Sequence, residues 1–233
     1  MEFHSFTLKL VLLLCLLNSP FIFSAERIKQ SPELLLANIY QSDINLNDYW
    51  VSEKRDGVRA HWNGSGLMSR KGSVFHATEW FISVLPNVVL DGELWLGRGQ
   101  FDRLSGIVRR QNPDDVSWRD VKYMIFDSPN KVEIFGQRLK RIKEIVRAVN
   151  APHIQLVEQF KVSSHDILIE KLDDVVKQGG EGLMLHSGSS LYRNGRTDDL
   201  LKLKKHLDAE AVVISHIPGK GKYKGMLGSM QVE

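Results

Sequence analysis

The chain has 233 residues, 42% hydrophobic and 25% charged, enough apolar side chain for the core of one large domain or two small ones. That composition excludes a predominantly disordered chain. Thirty-one Lys and Arg against 28 Asp and Glu leave a charge of +3, which allows a polyanionic partner without requiring one.

Residues 1–25 form a separate segment. Leu10 to Leu17 is apolar throughout, Asn18 and Pro20 interrupt it, and a second apolar patch ends at Ser24 and Ala25. The run is too short for a bilayer span of ~20 residues. It suits the core of a secretory signal cleaved before Glu26, with an uncleaved anchor or a buried helix as the alternatives. Cys15, the only cysteine, lies inside it, so the cleaved chain holds no disulfide, no cysteine-bound zinc and no thiol nucleophile. A periplasmic or secreted protein without stable membrane association is the expectation.

Ser31, Pro32 and Glu33 read as a helix start, with Leu34, Leu35, Ile39 and Tyr40 following at near-helical spacing. Strands are expected over 50–54, 58–62 and 66–69. The turn dipeptides Asp56-Gly57 and Asn63-Gly64 lie between them, which suggests a β-meander. Two more strands cover 88–96 and 121–126. An amphipathic helix over 137–149 carries an apolar stripe of Leu139, Ile142, Ile145, Val146 and Val149, and Arg138, Lys140, Arg141, Lys143 and Arg147 cover its other faces. A second helix over 164–178 stops at Gly179 and Gly180. Strands resume at 182–186, 200–204 and 211–215, and another begins just before Glu233. Many strands with a few interspersed helices argue for an α+β fold with antiparallel sheets.

Several residues suit chemistry on a phosphate. Lys54 stands at a strand end beside Arg55, Asp56 and Gly57; a lysine nucleophile must lose its proton, which nearby cations or desolvation favour. A hairpin turn with a solvated lysine is the plain alternative. Asp91 and Glu93 lie two apart on one strand, hence on one face, where they suit a divalent metal or a ribose hydroxyl. Glu181 carries a lone carboxylate into an apolar strand. Lys202 and Lys204 share one face, as a guarded edge strand also would. Phe126 suits either core packing or base stacking. The Gly/Lys-rich stretch 218–228 lacks the spacing of a Walker loop and fits a basic hairpin against a nucleic-acid backbone or a solvated loop.

Taken in order, these segments resemble the covalent nucleotidyltransferase superfamily, and most closely the ATP-dependent DNA ligases of the small bacterial type with a periplasmic leader. The resemblance runs through Lys54 to Arg59, Ser69 and Arg70, Asp91 to Leu94, residues 123–127, Glu181 to Met184 and residues 200–204, and covers about residues 31–216. It implies an ATP-grasp-like nucleotidyltransferase domain of antiparallel sheets flanked by helices over 26–205, followed over 206–233 by the incomplete beginning of an OB-fold. It further implies that Lys54 attacks the α-phosphate of ATP to form lysyl-AMP, with Asp56 near the reacting centre for later steps. Arg59 would contact ribose or the nick, Arg70 would take AMP or the 5′-phosphate, Glu93 would serve ribose and metal, and Phe126 would stack on adenine. Glu181 would hold Mg²⁺, with Mn²⁺ as its substitute, and Lys202 and Lys204 would neutralise the α-phosphate. The implied partner is nicked double-stranded DNA, engaged by a monomer. RNA ligase, mRNA capping enzyme, NAD-dependent ligase and a DNA-binding remnant that cannot seal are the competing readings. Export argues against capping, and the lack of both a cysteine zinc module and room for a nicotinamide-recognition domain argues against NAD.

Overall fold

The computed structural model describes residues 31–205 and 211–233; the proposed leader lies outside them. Two β-sheets form the body of the molecule. The smaller has the order β1-β10-β9-β2, built from β1 (Leu35–Ile39), β2 (Tyr49–Lys54), β9 (Gly182–Ser187) and β10 (Gly195–Leu203). The larger has the order β5-β4-β3-β6-β7-β8, from β3 (Val58–Trp62), β4 (Leu67–Ser69), β5 (Val74–Phe75), β6 (Leu90–Trp95), β7 (Lys122–Asp127) and β8 (Ile154–Leu156). Pairing is antiparallel except for β1 with β10 and β7 with β8. The α+β expectation with antiparallel-rich sheets therefore holds.

Helices cover the outer faces. Short α1 (Glu79–Ile82), α2 (Phe101–Val108), short α3 (Asp115–Trp118) and α4 (Phe135–Val149) belong with the larger sheet, and α5 (His165–Lys177) lies on the smaller one. The larger core gathers Trp62, Phe81, Leu90, Leu94, Trp118 and Ile142; the smaller gathers Val51, Leu168, Leu172, Leu183, Leu185 and Leu201. Each fully buried Leu contributes about 2 kcal/mol of transfer free energy. The side chain of Ser164 caps α5 by accepting from the Ile167 amide at 3.3 Å.

Three sequence expectations are corrected. The predicted helix after Ser31 is strand β1: Leu35 pairs with Gly195 and is 1% exposed, so sheet pairing across 160 residues overrides the local helical spacing. The predicted meander is split. β3 and β4 do form a hairpin around Asn63-Gly64, whereas β2 pairs with β9 in the other sheet, so Asp56-Gly57 crosses between sheets instead of turning a hairpin. Arg138, assigned by periodicity to a polar face, is 0% exposed. Its guanidinium grips Asp127 through Nε at 2.7 Å and Nη2 at 3.0 Å, and Nη1 donates to the Glu133 and Ser190 carbonyls. A buried arginine is tolerated when every donor finds such a partner. Beyond residue 210, β11 (Val213–Pro218) and β12 (Leu227–Val232) make a separate antiparallel hairpin, with Lys220, Lys222 and Lys224 in its connection and Val213, Ile217, Leu227 and Val232 exposed. No helix among the described residues is long and apolar enough to cross a membrane.

Candidate active site

A cleft of about 300 Å³ opens between the sheets. From the smaller sheet Lys54, Met184, His186, Leu200 and Lys202 line it; from the larger, Arg59, Asp91, Glu93 and Phe126 do. Lys54 is the last residue of β2 and pairs with Gly182, so the strand register places it directly beside Glu181. Its Nζ donates to Glu181 Oε2, and Lys204 Nζ donates to the other oxygen of the same carboxylate. These two ammonium groups pull the Glu181 carboxyl below its usual range against the opposing effect of burial. One carboxylate thus orders two cations, each a candidate for a phosphate.

Gly57 brings the second sheet close to Lys54. A Cβ at that position would lie 2.3 Å from the Leu94 carbonyl oxygen and 2.8 Å from Glu93 Cγ, so only glycine fits. Its amide donates to Glu93 Oε1 at 3.2 Å. Burial pushes the Glu93 carboxyl up to about 7; Lys54, the Gly57 amide and Arg59 oppose that rise, and Glu181 adds to it. On the neighbouring strand Arg59 is held in place: Nε and Nη2 donate to Asp91 at 3.1 and 2.6 Å, and Nη1 donates to the Leu35 carbonyl at 2.9 Å. Its guanidinium carbon is 5.4 Å from the Phe126 ring centroid. Tyr192 secures this group from below, donating to Asp91 at 3.1 Å while accepting from the Leu35 amide at 3.2 Å.

The structure therefore brings Lys54, Arg59, Glu93, Phe126, Glu181, Lys202 and Lys204 together. Arg70, just past β4, lines the cleft with an exposed side chain. Asp56 is half-buried in the connection between the sheets and does not line the cleft. Sequence reasoning missed Tyr192 and the Glu53–Arg98 pair beside Lys54. It also missed Gln159 and Arg196, further cleft residues. Arg98, Gln159, Tyr192 and Arg196 carry no local signal because they reach the site only through loops or sheet pairing, whereas Glu53 was signalled only by its place next to Lys54.

A family model described as the ATP dependent DNA ligase domain matches residues 34–204. The chain belongs to the ATP-dependent DNA ligase family. A DNA ligase of Haemophilus influenzae is 30% identical over 198 residues, covering 85% of this chain and 73% of that protein. A solved Lig E DNA ligase, described as binding DNA with a minimal scaffold, is 44% identical with a TM-score of 0.80 over 88% of this chain and 80% of its own. A Chlorella virus DNA ligase-adenylate, 20% identical, shares the fold with a TM-score of 0.64 over 87% and 81% of the two chains. ATP-dependent DNA ligases use ATP and a divalent metal, and this site fits such an ion. Glu93 and Glu181 supply hard oxygen donors, and their mutual repulsion is what a divalent cation relieves. Among the described residues no cluster of three or more His, Cys, Asp or Glu offers a closed protein cage. Two carboxylates completed by phosphate oxygens are the usual arrangement for Mg²⁺.

Proposed function

We propose that this chain seals nicks in duplex DNA at the expense of ATP, with Lys54 as the nucleophile. The placement of Lys54 against Glu181, in a cleft walled by Phe126 and Met184 from opposite sheets, carries the reading. Having lost a proton, Lys54 Nζ attacks the α-phosphorus of ATP. The N–P bond forms as the P–O bond to the β-phosphate breaks, and pyrophosphate leaves with the electron pair. An oxygen of the nick's 5′-phosphate then attacks the AMP phosphorus, and the N–P bond to Lys54 breaks. The 3′-hydroxyl, losing its proton, attacks the phosphorus of the DNA 5′-phosphate, AMP leaves with the bridging oxygen and its electron pair, and the strand is closed.

Such transfers depend on positioning and charge neutralisation, which the residues supply. Lys202 and Lys204 face the transferred phosphate, Phe126 stacks on adenine, Arg59 and Glu93 orient the ribose, and Arg70 takes the 5′-phosphate. Asp56 serves the later steps from the connection between the sheets. A Mg²⁺ or Mn²⁺ ion held by Glu93 and Glu181 supplies further charge neutralisation when bound. Lys220, Lys222 and Lys224 on the exposed hairpin suit the DNA backbone, and a monomer suffices for a nick. The β11–β12 hairpin fits two strands of an OB-fold. The apolar run in 1–25 supports export to the periplasm or beyond.

The test is intact mass after incubation with ATP, Mg²⁺ and pyrophosphatase, followed by addition of nicked duplex. One AMP should appear on the wild type, be absent from Lys54→Ala, and be discharged as the nick closes. An adduct on Lys54→Ala, or none on the wild type, would sink the assignment.

A further inference from the structure

Arg98 is not part of the chemistry above, yet it touches three segments that are. It follows β6, the strand of Glu93, and precedes α2. Its Nε and Nη2 donate to the two carboxylate oxygens of Glu53 at 2.9 and 3.0 Å, and Nη1 donates to the Gln178 carbonyl at 3.1 Å and to Gln178 Oε1 at 3.0 Å. Glu53 immediately precedes Lys54 on β2, and Gln178 closes α5 three residues before Glu181. The Glu53 carboxylate also packs on the turn that leads to Glu181, since a Cβ on Gly180 would come 3.2 Å from Glu53 Oε1. A second guanidinium reinforces the link: Arg55 pairs with Glu53 at 3.1 Å and lies 4.5 Å over the Trp95 ring of β6.

We infer that Arg98 is a positioning residue for lysine adenylylation, setting through Glu53 and Gln178 the spacing of Lys54 and Glu181 relative to Glu93. The inference rests on Lys54 as the nucleophile. An exposed ion pair alone adds little, but a bidentate fork with four hydrogen bonds fixes direction as well as distance. Here the chain passes from the smaller sheet to the larger through the short stretch Arg55-Asp56-Gly57, which has no ladder pairing of its own, so the Arg98 fork adds a lateral tie that holds the nucleophile and both carboxylates in register. Misplacement by about 1 Å costs up to about 100-fold in rate when reacting groups must meet in line.

The test is the single-turnover rate of AMP attachment to the full chain across ATP concentrations, for wild type, Lys54→Ala, Arg98→Ala, Glu53→Gln and the Arg98→Ala/Glu53→Gln double variant. Arg98→Ala should slow the saturated rate by about 10- to 100-fold while half-saturating ATP stays within about threefold. Free guanidinium at millimolar concentration should restore part of that rate, and the double variant should be no slower than the worse single one. If Arg98→Ala fails to fold, Glu53→Gln carries the same expectation. A saturated rate within twofold of wild type overturns the inference, as does a loss expressed only through half-saturating ATP or one that matches the unfolded fraction and ignores guanidinium. Lys54→Ala separates the two levels. An adduct on that variant removes the nucleophile and the clamp together, whereas an inert Lys54→Ala beside a fast Arg98→Ala removes the clamp alone.

Discussion

On the smaller-sheet side of the cleft, the charged side chains of Lys54, Glu181 and Lys204 are 25%, 24% and 41% exposed and share one carboxylate. On the larger-sheet side Asp91 and Asp127 are 0% and 2% exposed, and each is gripped by an arginine fork, Arg59 and Arg138. Solvated cations exchange one anion for another at small cost, whereas buried pairs cannot part without stranding a charge. The first wall can release its ammonium groups to another anion, as the proposed transfer to phosphate requires, whereas the second keeps its geometry.

The sharpest way to break this contrast is Arg138→Ala. It leaves Asp127 buried without its partner, so unfolding by urea should show a loss of about 3–5 kcal/mol; a loss below about 1 kcal/mol would mean that the second wall is not rigid. Next comes Glu93→Gln. The folded state holds a proton on Glu93 up to about pH 7, against 4.5 for the ordinary carboxyl, so the wild type loses stability as pH rises between those values. Gln carries no charge to bury and can still accept from Gly57. In metal-free buffer at pH 8 the variant should therefore be more stable by up to about 3 kcal/mol, a gap that closes as the pH falls to 4.5, while AMP attachment is lost. Equal stability at pH 8 would show that Glu93 ionises freely.

Tyr192→Phe removes one hydroxyl that joins Asp91 to the Leu35 amide and should cost about 1 kcal/mol, read as a shifted urea midpoint at unchanged slope. Lys204→Ala should have the smallest effect on stability, under about 1 kcal/mol because its pair with Glu181 is partly solvated, yet AMP attachment should slow by about tenfold or more. A Lys204 variant that is strongly destabilised would erase the distinction between the walls.

Much of the site was legible because its residues are set by local spacing. Lys54 stands at its strand end, Asp91 and Glu93 both line the cleft from β6, and Lys202 lines it from β10, as a period of two implies, while Lys204 lies just past β10 and reaches Glu181. Arg138 was misread for the same reason. A helical period assigns it to a polar face, and nothing local announces that Asp127 waits beneath that face. Leu34 to Tyr40 failed similarly, since a short apolar run reads as helix or strand until its pairing partner is known.

Strand and helix periodicities, turn dipeptides, the order of the chemical motifs and hence the family can be read along the chain, because each depends on residues a few positions apart. Which sheet each strand joins, the crossing of Asp56-Gly57 between sheets, and the closure of Arg59, Arg98 and Arg138 on particular carboxylates emerge only from the folded arrangement. Those choices bring together residues 11 to 45 positions apart in the ion pairs and up to 160 apart in the sheets. They are settled by burial and by the need to satisfy every desolvated charge, quantities that exist only once the chain has folded.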